Sequence, residues 1–194
     1  MSAVMSAPLM ELAEPRPITW DKAQYHQMGE LGWFDDIPVE LVEGEIIQMS
    51  PISSPHWKSV ILTGTALRQV FGSGYVVAEQ NAFDGGLRSE PQPDVAVYEG
   101  EVRDFEALPS HALLIVEVSL STLRYDRARK AGVYAHADIA EYWIVNVAER
   151  VLEVHRQPST RTGSYEERWT LDADASVSPL AAPECVLKVA DFLP

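Results

Sequence analysis

The sequence predicts a mixed α/β fold built around one sheet, and three observations carry that expectation. The run LLIVEVSL (Leu113–Leu120) is apolar on both faces except at Glu117 and Ser119, as in a strand covered from both sides. Other short strand-like runs alternate with stretches of helical spacing, in the order helix, strand, helix, a meander of strands, helix, strand. The 194 residues, 46% hydrophobic and 23% charged, suit a single domain with a sizeable core.

The elements follow in order. Met1 to Pro17 carries Pro15 and Pro17 and little periodicity, and is read as a flexible tail before one domain over residues 18–194. Thr19 is a plausible N-cap for a short helix over Trp20–Met28, with Asp21 in its first turn. Gly29, Gly32 and Asp35–Asp36 mark a loop. The segment ELVEGEIIQM (Glu40–Met49) reads as two strands with a turn at Glu43–Gly44. After Pro51–Pro55, Val60, Thr63, Leu67 and Val70 give helical spacing over His56–Phe71, ended by Gly72 and Gly74. Tyr75–Phe83 and Asp94–Tyr98 read as strands, the second entered through Pro91 and Pro93, where a missing N–H is tolerated. Tyr125–His136 looks helical, with small packing positions at Ala128, Ala131 and Ala135. EYWIVNV (Glu141–Val147) and VLEVHR (Val151–Arg156) are two further strands, and the remainder gives one or two edge strands and a closing turn.

Composition excludes several classes. The longest apolar runs are far too short to cross a bilayer, and the N-terminus has neither a basic region nor a long apolar stretch, so a cytoplasmic protein is expected. One cysteine, Cys185, leaves no intrachain disulfide and no cysteine-rich zinc site. The net charge of −14 repels a polyanion at long range, so any nucleic-acid contact must rest on local basic clusters and a bound cation.

The chemistry centres on Glu117. Period-two spacing puts Leu113, Ile115, Glu117 and Ser119 on one strand face, so this carboxylate points into an apolar neighbourhood. Unpaired, it would cost several kcal/mol or take up a proton, and a divalent cation is one way to stabilise it. Asp94 opens the preceding strand, and antiparallel pairing of the two strands would bring both carboxylates together. Such hard oxygen ligands suit Mg²⁺, which keeps several waters and accepts a substrate phosphate. A nearby lysine would position or deprotonate the attacking water, or shield developing charge. The plainer readings stand beside these: Asp94 as a turn residue at a strand start, and Lys130 as a solvated helix charge paired with Asp126 four residues earlier. By the same helical spacing Arg127 and Lys130 share one face.

The motifs ELVEGEIIQMSP, PHWKSV, PDVAV, LLIVEVSLST, DRARKAGVYA and EYWIVNV, in that order from about Thr19 to Arg156, resemble the Uma-two endonuclease family of the PD-(D/E)XK superfamily. The resemblance implies a restriction-endonuclease-like core, a central mixed sheet flanked by helices. It also implies a Mg²⁺- or Mn²⁺-dependent endonuclease acting on DNA, expected as a homodimer. Asp94 and Glu117 are then the metal-binding carboxylates, with the Val118 carbonyl as an extra ligand. The superfamily's lysine would fall at Ser119; here it matches Lys130 on the next helix. Glu40 matches a glutamate beside the site, His56 and Ser119 are accessory candidates, and Tyr142 and Trp143 are read as core. Leu120 and Asn146 depart from the family's usual proline and aspartate, at positions not expected to bind metal. Arg124, Arg127 and Arg129 form a local basic cluster for phosphates. Two other readings stay open: a nuclease-fold binding or regulatory module, favoured by the acidity and the displaced lysine, and hydrolysis of a small phosphorylated molecule.

Overall fold

In the computed structural model, which describes residues 16–194, the chain opens with α1 (Lys22–Glu30), the hairpin β1 (Val39–Val42) and β2 (Glu45–Gln48), and α2 (Ser54–Phe71). Then come β3 (Tyr75–Glu79), β4 (Val95–Glu99) and β5 (Leu114–Ser119). A helical stretch follows in three pieces: α3 (Leu123–Tyr125), a π-helical turn (Asp126–Lys130) and α4 (Ala131–His136). The chain closes with β6 (Glu141–Asn146), β7 (Val151–Ser159), β8 (Ser164–Asp172), the short pair β9 (Ser176–Val177) and β10 (Leu187–Lys188), and a 3₁₀ turn (Val189–Phe192). Among the described residues no helix is long and apolar enough to cross a membrane.

Strands β3 to β8 form one six-stranded sheet in chain order. All neighbours are antiparallel except β5 and β6, whose parallel pairing requires the α3–α4 crossover between them. This is the expected mixed sheet flanked by helices. Alternate residues feed two cores. Val95, Val97, Val116, Val118, Trp143, Val145 and Leu152 pack under α2 and the C-terminal 3₁₀ turn. Ala96, Ile115, Tyr142 and Ile144 pack under α4 with Ala131, Tyr134 and Ala135. Glu117, in step with Ile115, therefore belongs to the α3–α4 face. Tyr142 and Trp143 are both fully buried.

Several boundaries differ from the expectation, each for a local reason. Helix α1 starts at Lys22 rather than Trp20, because Asp21 supplies the cap: its Oδ1 accepts from Gln24 N at 2.8 Å while Gln24 Oε1 accepts from Asp21 N at 3.0 Å. Thr19 instead accepts from Arg88. Strand β3 stops at Glu79, since Gln80 takes φ 52°, which an extended strand cannot continue through. Asp94 lies one residue ahead of β4, not inside it. The helix expected over Tyr125–His136 contains the π-helical turn, and the terminal remainder includes a nine-residue edge strand, β8. The flexible tail expected over Met1–Pro17 lies, through residue 15, outside the described residues.

Candidate active site

Strand β4 begins its ladder with β5 at Val95↔Val116, and one step of that register back along the chain sets Asp94 opposite Glu117. Among the described residues, the edge of β5 beyond that point has no strand partner on the β4 side. Asp94 takes the vacated place: its Oδ2 accepts from the Val118 N–H at 2.8 Å and from His56 Nε2 at 3.2 Å. In an extended strand a residue's carbonyl points the same way as its N–H, so the Val118 carbonyl also faces this gap. His56 comes from the first turn of α2, whose cap Ser53 and following Pro55 fix where the helix begins. Its imidazole is held above the ordinary histidine range by the hydrogen bond to Asp94, against the opposing effect of burial.

Lys130 is buried, which corrects its reading as a solvated helix charge. Its side chain is 5% exposed, and its Nζ lies 2.8 Å from Glu40 Oε2 and 3.0 Å from Glu117 Oε1. Asp126, Lys130 and Tyr134, at four-residue spacing through the π-helical turn, are all buried. Arg127 is not on their face: it points away and is half-exposed. The Tyr134 hydroxyl donates to Glu117 Oε1 at 2.7 Å. Glu40, on β1, also accepts from Gln92 N at 3.0 Å and from the Tyr125 hydroxyl at 3.3 Å.

The electrostatics are lopsided. Burial pushes the Glu117 carboxyl well above the usual range; Lys130 opposes this, and the Asp94, Asp126 and Glu40 carboxylates add to it. Asp126 is pushed up by burial too, partly offset by its hydrogen bond from Thr122 and by Lys130. Burial disfavours the Lys130 ammonium, but Glu117 and Glu40 outweigh that and hold it above the ordinary lysine range. Four buried carboxylates (Glu40, Asp94, Glu117 and Asp126) thus share a cavity of about 280 Å³ whose only lysine or arginine among the described residues is Lys130.

This donor set fits a hard divalent cation. Asp94 Oδ1 and Glu117 Oε2 have no hydrogen-bond partner among the described residues, whereas the other oxygen of each is engaged. No group of three or more His, Cys, Asp or Glu side chains converges as a metal cluster among those residues. Two carboxylates with a carbonyl therefore suit an ion that keeps several waters, such as Mg²⁺, better than a protein-caged ion.

The other expected residues fall as follows. Ser119 is buried behind the carboxylates, its Oγ 3.5 Å from Thr122 Oγ1. Arg127 forks onto Glu153 at 2.8 and 2.6 Å, and Arg129 onto Glu43 and Glu45 at 2.5 and 3.0 Å. Of the expected phosphate-binding cluster, only Arg124 is exposed with no ion-pair partner among the described residues. Sequence reasoning missed Asp126 and Tyr134 as site residues. The signal was their spacing with Lys130, three chemistry-bearing side chains at i, i+4 and i+8 along one helix face.

The comparisons with known proteins agree with this architecture. A family model described as "Uma2: Putative restriction endonuclease" matches residues 23–190. The chain belongs to this family. Uma2 membership spans every element that builds the cavity, from β1 through the π-helical turn. A crystal structure described as a "putative nuclease belonging to DUF820" from Anabaena variabilis is similar in fold, with a TM-score of 0.61 at 19% identity. That likeness covers 91% of this chain and 97% of the other. No curated protein matches the sequence.

Proposed function

We propose that the protein is a Mg²⁺- or Mn²⁺-dependent endonuclease that hydrolyses DNA phosphodiester bonds. The observation that carries this reading is the buried pair Asp94 and Glu117, set opposite each other just before β4 begins, with Lys130 3.0 Å from Glu117. Asp94, Glu117 and the Val118 carbonyl would hold the ion. When bound, a divalent cation supplies Lewis-acid polarisation of a phosphoryl oxygen and neutralises its charge. The chain's own residues do the positioning. His56 and the Val118 N–H fix the Asp94 carboxylate from one side, and Lys130 and Tyr134 fix Glu117 from the other. Lys130 places a positive charge beside the reacting phosphodiester, so it serves as a donor to developing negative charge rather than as a proton acceptor. Glu40 holds Lys130 in place. A homodimer is proposed on the resemblance alone, and sedimentation velocity tests it.

A second reading, a nuclease-fold binding or regulatory module, is favoured by the net charge of −14 and by the ion-paired Arg127 and Arg129. One experiment separates the two. Mn²⁺ is titrated calorimetrically into wild type and Glu117→Ala, and the same samples are assayed for plasmid nicking. The nuclease reading expects binding and nicking in wild type, both lost in Glu117→Ala and Asp94→Ala, with nicking lost in Lys130→Ala. Metal binding without nicking under any condition supports the module, and absence of binding in wild type sinks the proposed mechanism.

A further inference from the structure

The cavity that holds the carboxylates has a second lining of different chemistry. Ile47 from β2, Met49 and Ile52 from the linker into α2, and Leu120 just after β5 all border it. Ile52 is 58% exposed and Leu120 38%, so the fold leaves apolar surface uncovered beside its most charged site. A phosphate and its cation have no use for such a surface. Two glutamines, Gln48 and Gln80, border the same cavity, are exposed, and make no side-chain hydrogen bond among the described residues. Their amides offer paired donor and acceptor groups without charge.

Charge argues the same way. A duplex is held chiefly by neutralising its phosphates. Here Lys130, the one lysine or arginine among the described residues that lines the cavity, is held between Glu40 and Glu117, and His56 is held on Asp94; Arg124, without an ion-pair partner among those residues, does not line it. Besides a few hydroxyls, what the cleft retains for recognition is apolar surface and neutral amides, which match the face and the edge of a nucleobase. In an intact duplex the faces are stacked and the Watson–Crick edges paired, so neither can reach this lining; an unpaired base presents both. The volume of about 280 Å³ lies just below the usual range of ligand pockets, roughly 300–1,000 Å³, with room for one nucleotide rather than a base pair.

Resting on the nuclease reading, we infer that the cleft takes a single unpaired nucleotide, its base against Ile47, Met49, Ile52 and Leu120, and that the substrate is single-stranded or frayed DNA. The test uses a fluorescein-labelled oligothymidylate and its blunt duplex with oligoadenylate. Binding is read by anisotropy in Ca²⁺ and cleavage in Mn²⁺, for wild type and the double variant Ile52→Ser/Leu120→Ser. Both positions are exposed, so the variant folds as wild type does, and its Mn²⁺ affinity by calorimetry checks that the carboxylate site is intact. The single strand is expected to bind and be cut at least about tenfold better than the duplex, and the variant to lose roughly tenfold in single-strand affinity, the scale of one base contact. A duplex bound and cut as well as the single strand, or a variant indistinguishable from wild type, overturns the inference and leaves the nuclease reading standing. Preferential single-strand binding without cleavage supports the inference about the cleft while removing the nuclease reading.

Discussion

At the scale of single residues the site depends on Lys130, a buried ammonium between two buried glutamates. Removing one member of such a group leaves the others without compensation. Lys130→Met is expected to lower stability by about 3 kcal/mol, read as a reduced urea midpoint, and to abolish cleavage. Glu117 works in the opposite direction. Its folded-state pKa is raised, so the folded protein binds a proton there more tightly than the unfolded chain does, and that contribution to stability is lost as pH rises from the ordinary carboxylate value through the raised one. Glu117→Gln removes that contribution. In metal-free buffer the variant is expected to lose less Tm than wild type as pH rises above the ordinary carboxylate range, with Asp126 and His56, whose pKa values are raised too, carrying what decline remains; a parallel decline in both would show that Glu117 is not the group responsible. Glu117 was legible in the sequence because a lone carboxylate interrupts the most apolar strand. Lys130 was not legible from spacing, since an i,i+4 pair with Asp126 looks the same whether it faces water or a cleft. What decides the matter is the β1 glutamate, 90 residues earlier in the chain, and only tertiary structure brings it there.

At the scale of elements, two irregularities aim the site. One is the late start of β4 at Val95, which frees the β5 edge for the Asp94 carboxylate; the other is the π-helical turn that carries Asp126 and Lys130. A third device brings Glu40 in. The β1–β2 hairpin closes on a two-residue turn, Glu43 at φ 52° and Gly44 at φ 81°, the positive pair of a type I′ turn. A Cβ on Gly44 would stand 2.7 Å from Thr19 Cβ and 3.1 Å from the Trp20 carbonyl oxygen, so backbone strain and crowding act together. Gly44→Ala is expected to cost about 1–2 kcal/mol, a Tm lower by roughly 5 °C, and to weaken cleavage by loosening Glu40's hold on Lys130. An unchanged Tm would mean that the N-terminal segment gives way freely. The hairpin was legible because Glu-Gly sits between two apolar runs. The stop of β3 at Gln80 and the π-helical turn were not, because neither a glutamine nor the sequence DRARK announces a departure from regular geometry.

At the scale of the whole molecule, the net charge of −14 divides into two populations that respond differently to ions. Surface carboxylates repel one another through water, and salt screens them over a Debye length of about 10 Å at 0.1 M. The buried carboxylates of the site, Glu40, Asp94, Glu117 and Asp126, share a lining whose basic groups among the described residues are Lys130 and His56, and they lie largely beyond the reach of that screening; Glu90, Glu141 and Glu153 are buried elsewhere, each beside a basic partner. The sequence reveals the total charge; the division depends on which acids the fold buries. Two separable effects are therefore expected in thermal melts. NaCl should raise the Tm gradually, and equally in wild type and in Asp94→Asn/Glu117→Gln, since both share the same surface repulsion. Mn²⁺ at matched ionic strength should raise it further in wild type alone, because a ligand that binds only the folded state stabilises it by mass action, about 2.7 kcal/mol at a hundred times its Kd. Equal Mn²⁺ responses in the two proteins would place the ion elsewhere on this acidic surface. A wild-type response to NaCl as large as its response to Mn²⁺ would mean that the buried carboxylates are screened like the rest, and that the cleft is open to bulk solvent rather than built around an ion.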